Sequence, residues 1–577
     1  IQKRTMAKKK NHKYIFVLGG VMSGVGKGIA TASIGKILQS KGFSVNPIKV
    51  DPYLNVDAGN MNPTEHGEVF VTHDGLETDQ DLGHYERFIN KNIYRENYMT
   101  NGQIYWDVLQ KERALFYKGK CVEPYHQIPP EIAARWERAG KVNHAQVVIV
   151  ELGGTVGEYE GLLFFEAARR IKLERPHDIA FMLVGYLPAP SSIGELKSKP
   201  LQQSVQALNS LGIQPDFIIA RAEREIDEKR KEKIHLASGV PIDHIIANPD
   251  VASIYDVPLV LERQNVPEMV AKSLKIKLTE KDMKEWRHMI VEREKATKKI
   301  RIGIIGKYQK TGDYTLSDTY VCVVEALKHG SRVNEVVPEL VWINSEDLEG
   351  MTYQKSAKML KDLKLDGIVV PQGWGKRGVE GKVTAIRYAR EEKVPYLGLC
   401  FGMQMAVIEF GRNVLHLSNA NTQEADPKTP HPVIHVIEAQ KKLLKNKQYG
   451  GTIRLGAWAC TLTKGTKLEK IYTDHTHVTD AAWHMQNPMQ TTLKDTKGII
   501  FERHRHRYEF NIDYKEQYEK AGMTIAGLSP DQTLVEAIEI ADHPFFIGTQ
   551  FHPEYLSRPL SPHPLFVGFT KACKQKK

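Results

Sequence analysis

Two short stretches of this 577-residue chain carry residue types that do chemistry. The first is Gly19-Gly20-Val21-Met22-Ser23-Gly24-Val25-Gly26-Lys27-Gly28. Closely spaced glycines let backbone N–H groups close on phosphate oxygens, a helix starting there adds positive potential, and Lys27 can reach the terminal phosphates. The spacing departs from an ordinary phosphate loop: five residues, Val21 to Val25, separate Gly20 from Gly26, where four are usual. Gly28 also stands where a Ser or Thr hydroxyl would hold Mg²⁺, so a metal there needs ligands from elsewhere in the chain.

The second stretch is Pro395-Tyr396-Leu397-Gly398-Leu399-Cys400-Phe401-Gly402-Met403-Gln404. A cysteine on a sharp strand-to-helix turn is exposed, the helix N-terminus beneath it favours thiolate, and Gly398 and Gly402 leave the turn room. A lone cysteine is more often an inert core residue. Far downstream, however, Gln550-Phe551-His552-Pro553-Glu554 supplies His552 as base and Glu554 to orient the imidazole. Pro371-Gln372-Gly373-Trp374-Gly375 ends an apolar run, as a backbone oxyanion donor requires. Together these point to a Cys–His–Glu triad.

The elements that must position these groups alternate strand and helix. Tyr14–Leu18 reads as a buried strand before the glycine loop, and Ile29–Ser40 as the helix after it. Val45–Lys49, Val147–Leu152, Ile179–Leu187 and Phe217–Ala220 read as further strands, with a helix over Ser204–Leu211. A second α/β pattern runs from Arg301–Gly306 through Leu340–Ile343, Gly367–Pro371 and Pro395–Leu399. The fold class is α/β, with two doubly wound domains. We expect one domain over 1–280, a linker helix over 281–299 and a second domain over 300–577; residues 428–450, polar and lysine-rich, read as a mobile excursion.

Net charge is +11, from 80 basic and 69 acidic residues. Ten basic residues, Lys3 to Lys13 and Lys571 to Lys577, crowd the two ends without an acidic neighbour, so the body is near neutral. This argues for solvated tails and against nucleic-acid binding. No apolar run is long enough to span a membrane, and the basic start lacks the apolar core of a signal peptide. Five widely spaced cysteines suggest neither a disulfide framework nor a zinc site, which fits a cytoplasmic protein.

Beyond these motifs, Lys49-Val50-Asp51-Pro52-Tyr53-Leu54-Asn55, His66-Gly67-Glu68-Val69-Phe70-Val71, the run Glu77 to Phe88 (ETDQDLGHYERF) and Arg503-His504-Arg505-His506-Arg507-Tyr508-Glu509 resemble the CTP synthase family. Residues around Cys400 resemble its class I glutamine amidotransferase domain. The resemblance implies a phosphate-loop, dethiobiotin synthetase-like synthetase followed by a Rossmann-like glutaminase. It implies a ligase that phosphorylates UTP with ATP and aminates it with ammonia from glutamine, inhibited by CTP and activated by GTP.

By the same resemblance, Gly24, Val25, Gly26, Lys27, Gly28, Ile29, Asp81 and Asp250 would meet ATP, and Asp81 and Glu151 would hold Mg²⁺. Ser23, Lys49, Glu158, Tyr159, Glu160, the segment Lys197, Ser198, Lys199, Pro200, Leu201, Gln202, and Lys233 would meet UTP or CTP. Gly373, Phe401, Gly402, Met403, Gln404, Glu424 and Arg507 would hold glutamine. Ammonia would pass His66 and Val69. Cys400, His552, Glu554 and Lys27 would be catalytic. The partners implied are UTP, ATP, glutamine and further copies of the chain in a homotetramer; filament formation is left open. Gln372 replaces a usual Gly, Gly24 a Ser and Leu201 a Thr, and Pro249 precedes Asp250 where Lys or His is usual. Against the family reading stand another amidoligase of the same construction, such as those acting on cobyrinic acid, and a filament-forming scaffold without catalysis. The UTP-type segment and the Glu77–Phe88 run argue against the first, and intact Lys27, Asp81, Glu151, Cys400, His552 and Glu554 against the second.

Overall fold

The computed structural model describes residues 12–190, 194–279, 281–308, 310–311, 314–315, 317–446, 450–475 and 498–576. The chain forms two compact units, Ile1–Asp57 with His84–Ile290, and Ala58–Gly83 with Val291–Lys577.

The first unit is organised by a seven-stranded sheet. Its strands run Tyr98–Thr100, Val45–Asp51, Val147–Leu152, Lys13–Gly19, Ile179–Tyr186, Phe217–Ala222 and Ile245–Pro249 across the sheet. Every neighbouring pair is parallel. Such strands are covered on both faces, which is why Val147–Leu152 (VVIVEL) is buried at every position. All carboxyl ends therefore emerge on one edge, and the glycine loop leaves the central strand there. Helix Pro124–Val142 closes one face with fully buried Trp136, whose ring meets Phe16 at 5.0 Å. The expected linker helix spans Lys284–Lys295 and is docked rather than solvated: Trp286 is fully buried and donates its indole N–H to the Tyr255 carbonyl at 2.9 Å.

The second unit carries a nine-stranded mixed sheet. Val336–Asn344, Lys298–Gly306, Gly367–Val370, Tyr396–Leu399 and Phe546–Thr549 are parallel neighbours in that order. Val535–Ile540, Met523–Leu528, Arg454–Leu462 and Ile499–His506 extend it antiparallel. Alternate residues feed separate cores on its two faces, Ile368, Val370 and Tyr396 on one, Val369, Leu397 and Leu399 on the other.

Two sequence expectations need revision. Within 428–450 the described residues hold order that their polarity hid: Pro432–Val436 is a strand, hydrogen-bonded antiparallel to Tyr508–Phe510, and Glu438–Lys445 is a helix; residues 447–449 lie outside the described residues. Ala58–Gly83, expected with the first domain, belongs to the second unit. Its hairpin, Val69–Val71 paired with Glu77–Asp79, is bound there by hydrogen bonds from Ala457 N–H to the His73 carbonyl (2.9 Å) and from Arg503 to the Val71 carbonyl (3.0 Å). Gly75 and Gly456 let the two backbones touch; a Cβ on Gly456 would sit 2.7 Å from the Gly75 nitrogen.

Candidate active sites

In the first unit the strand ends assemble one polar cluster. The glycine loop turns through left-handed Gly24 (φ 69°) and Gly26 (φ 82°), conformations that cost glycine little, and helix Lys27–Ser40 starts at once. Ser23 and Gly24 are exposed, Val25 and Gly28 buried, and Ile29 half-buried. Lys27 donates to the Gly154 carbonyl at 2.8 Å, and Gly19 gives its ammonium passage. Beside it, Glu158 accepts from the Thr155 N–H (2.9 Å) and hydroxyl (2.6 Å). On neighbouring strands Lys49 and Glu151 stand in register and form an ion pair of 3.1 Å, with Asp51 at 3.5 Å and the Tyr85 hydroxyl donating to Glu151. Lys49, Asp51 and Glu151 are all buried. Their hard carboxylate oxygens at the sheet's carboxyl edge are the donor chemistry Mg²⁺ accepts. Asp81, the other expected metal ligand, opens helix Asp81–Ile89 and lies in the second unit.

Asp250 follows strand Ile245–Pro249 and pairs with Arg221 at 2.8 Å; Arg221 in turn borders Gly26. The expected UTP segment begins helix Lys199–Ser210, whose Ser204 hydroxyl accepts the Val21 N–H at 3.0 Å and so ties it to the glycine loop. Ser198 is buried and accepts from Gln202 at 3.0 Å. Lys197 pairs with Glu195 (2.9 Å), which also holds Arg230 (2.6 Å). Lys199 and Lys233 are exposed and Pro200 is partly so. Leu201 is fully buried against Gly185, so only its backbone can face a ligand. Tyr159 and Glu160 are exposed.

In the second unit three adjacent parallel strands deliver the groups. Gly367–Val370 leads to Gly373, Tyr396–Leu399 to Cys400, and Phe546–Thr549 to His552, so all three leave the same edge. Cys400 takes φ 51°, ψ −99°, a strained conformation for a side-chain-bearing residue and the form a nucleophile elbow uses. Its N–H is anchored on the Thr549 carbonyl (2.7 Å), and a Cβ at Gly402 would collide with the Val370 carbonyl. Cys400, His552, Gly373, Gln404, Glu424 and Arg507 line one cavity. His552 Nδ1 meets Glu554 Oε1 at 2.7 Å, which fixes the ring and turns Nε2 toward the cavity side of the imidazole. Burial would pull the His552 pKa down, but the charges of Glu554 and Cys400 outweigh it and push it up to about 10.

Around the triad, Gln550 donates to Cys400 Sγ at 3.5 Å and accepts from Gln404 at 3.2 Å, while Gln404 also donates to the Tyr508 carbonyl (2.8 Å). Phe401 and Met403 are buried in the core, so only their backbone can face a ligand. Burial raises the Glu424 pKa, and its Oε1 accepts the Gly375 N–H at 2.8 Å. Arg507 is buried and donates to Thr452 at 3.2 Å. The Trp374 N–H goes to the Tyr308 hydroxyl (2.9 Å). Of three consecutive amides, those of Trp374 and Gly375 are thus spoken for, and Gly373 lines the Cys400 cavity.

Sequence reasoning missed what holds that loop. Lys307 is buried and donates to the carbonyls of Trp374, Gly375 (3.1 Å) and Arg377 (3.1 Å); Lys382, fully buried, donates to the Pro371 carbonyl at 3.0 Å. Both ammonium groups lie over the Phe401 ring, at 4.6 and 5.1 Å. Burial lowers the Lys307 pKa to about 8 against the pull of Glu424, and drives Lys382 well down, with Lys307 adding to it. A lysine followed by Tyr308 at the end of a strand carries no motif, so pattern reading had no signal for either. A larger cavity of about 400 Å³, lined by Asn60, Glu77, Tyr308, Trp374, Arg505 and Arg507 among others, shares Trp374, Arg505 and Arg507 with the Cys400 cavity. His66 is exposed at the end of helix Pro63–His66, whereas Val69 is buried with its carbonyl bonded to Tyr555.

Residues 13–276 match the family described as CTP synthase N-terminus, and residues 315–572 match glutamine amidotransferase class-I. A CTP synthase of Caldanaerobacter subterraneus is 47% identical over 561 residues, 97% of this chain and 98% of that protein. One of Sulfolobus acidocaldarius is 46% identical over 96% of this chain and 98% of its own length. Among solved structures, the glutaminase domain of Trypanosoma brucei CTPS with bound acivicin is 34% identical, covering 48% of this chain and 95% of that one with a TM-score of 0.41. With such similarity running through both units, the chain belongs to the CTP synthase family and carries its class I glutamine amidotransferase domain.

Proposed function

We propose that this chain converts UTP to CTP in two coupled reactions. At the second unit, Cys400 Sγ attacks the carboxamide carbon of glutamine. The Gly373 and Phe401 amides receive the developing oxyanion, His552 protonates the departing nitrogen, and water then releases glutamate from the thioester. Gln404, Glu424 and Arg507 hold the substrate, the last as partner for its α-carboxylate. At the first unit, Gly24 to Ile29 cradle ATP phosphates and Lys27 neutralises the phosphoryl group passing to O4 of UTP, with Asp250 on the nucleoside side. Ser23, Lys49, the segment Lys197–Gln202 and Lys233 meet UTP; Glu158, Tyr159 and Glu160 meet the inhibitor CTP. Ammonia passing His66 and Val69 displaces the phosphate. Asp81 and Glu151 would hold Mg²⁺, which supplies charge neutralisation for the phosphates. GTP is the proposed activator, a homotetramer the proposed assembly and the cytoplasm the proposed location.

The observation that carries this reading is Cys400 on its strained turn in one cavity with His552, whose Nδ1 is held by Glu554. The test is the absorbance change on mixing the protein with UTP, ATP, Mg²⁺ and glutamine. Cys400→Ala should abolish synthesis from glutamine but keep synthesis from ammonium at raised pH, and Lys27→Ala should lose both. Asp81→Asn and Glu151→Gln should each abolish ligation in a folded protein. A Cys400→Ala variant that still uses glutamine would refute the nucleophile assignment.

A further inference from the structure

Gln372 lines the Cys400 cavity and is among the residues there that the scheme above leaves without a role. Its Nε2 donates to Glu68 Oε1 at 2.7 Å, and Glu68 Oε2 accepts the Cys322 N–H at 2.7 Å, so Glu68 is buried and held from two sides. A carboxylate only accepts. Gln372 must therefore turn its NH₂ toward Glu68 and its carbonyl the other way, which settles the amide's orientation chemically. That carbonyl oxygen, Oε1, is buried and takes a hydrogen bond from none of the described residues. A buried amide oxygen without a donor has lost its water for nothing in return.

The group it can receive is an N–H donor in the cavity it lines. Glutamine brings one: its carboxamide oxygen is directed to the Gly373 and Phe401 amides, and its nitrogen carries two N–H bonds. We propose that Gln372 Oε1 accepts an N–H of the scissile amide nitrogen and then of the ammonia that nitrogen becomes. This rests on the glutaminase reading of Cys400. As the Sγ–C bond forms and the C–N bond breaks, the His552 imidazolium gives its proton to nitrogen, which leaves as NH₃ and keeps its bond to Gln372. The other end of that same side chain is tied to Glu68, the residue preceding Val69, so the leaving group is held beside the hairpin.

The test compares glutamine with the γ-methyl ester of glutamate, whose leaving oxygen has no N–H to donate. Glutamate release is measured for the full-length wild type, Gln372→Met and Gln372→Gly; the glycine variant serves if methionine impairs folding. Both should lose about tenfold or more in kcat/KM on glutamine and hydrolyse the ester at the wild-type rate. Equal losses on the two substrates would mean that Gln372 only shapes the cavity and would overturn the proposal, as would an unchanged rate on glutamine. Cys400→Ala separates the two readings: full activity of that variant on both substrates removes the glutaminase assignment itself.

Discussion

The hydroxyl of Tyr555 donates to the backbone carbonyl of Val69 at 3.0 Å, across 486 residues of chain. The same tyrosine ring stacks on His552, with centroids 4.9 Å apart, and meets Phe70 edge-on at 5.3 Å. One side chain therefore touches both His552 and the hairpin. Tyr555→Phe keeps both ring contacts but leaves a buried carbonyl unpaired, a loss of about 1–3 kcal/mol. Thermal denaturation should show that loss, and stoichiometry should show glutamate outrunning CTP. Tight one-to-one coupling in this variant would mean that the hairpin does not depend on Tyr555.

Glu554→Gln removes the charge that stabilises a protonated His552 against the cost of its burial. The His552 titration, followed by imidazole nitrogen NMR, should move down from about 10. Glutamine hydrolysis should fall by about 10³–10⁴-fold, the scale seen when an orienting carboxylate in a triad is neutralised. In linkage terms the raised folded pKa stabilises the protein fully below about 6.5, the unfolded value, and that contribution is lost as pH rises through about 10. The variant should lack the alkaline loss.

Lys307 as an ammonium offers three donors to three carbonyls, those of Trp374, Gly375 and Arg377. With its pKa lowered to about 8, it loses one donor as pH rises through that value. Glutamine turnover by the wild type should decline across that range. Lys307→Met should lower turnover about a hundredfold, by letting the Gly373 amide drift, and should abolish this step in the pH profile. A step that persists in Lys307→Met belongs to another group.

Acid should weaken the second unit through histidines buried as neutral rings. Burial holds His543 at about 4 and His563 at about 3, and pushes His504 and His506 well down, with Arg454 adding to the last two. All four take protons near pH 6.5 only when unfolded. Their contribution is complete above that value and is lost as pH falls toward 4 and 3. Each adds up to about 1.4 kcal/mol per pH unit. Urea midpoints measured from pH 7 to pH 4 should fall steeply; a flat profile would show that these rings ionise inside the fold.

Local pattern was enough for the strand–glycine–helix loop at Lys27 and for the elbow at Cys400, because each is built from neighbours in the chain. It was enough too for His552 with Glu554, two residues apart, and for the alternation of strand and helix that makes both units α/β. Sequence could not tell which unit holds Ala58–Gly83, since that depends on hydrogen bonds to strand Arg454–Leu462, hundreds of residues away. It read 428–450 as an excursion because the strand there is stabilised by pairing with Tyr508–Phe510, not by its own apolar pattern. That the Leu201 side chain packs into the core was likewise decided by tertiary contacts and not by its place in the Lys197–Gln202 segment. Lys307, Lys382 and the Gln372–Glu68 bond were invisible for one reason: a buried charge or amide is defined by the partners that surround it, and those partners are brought together only when the sheet forms.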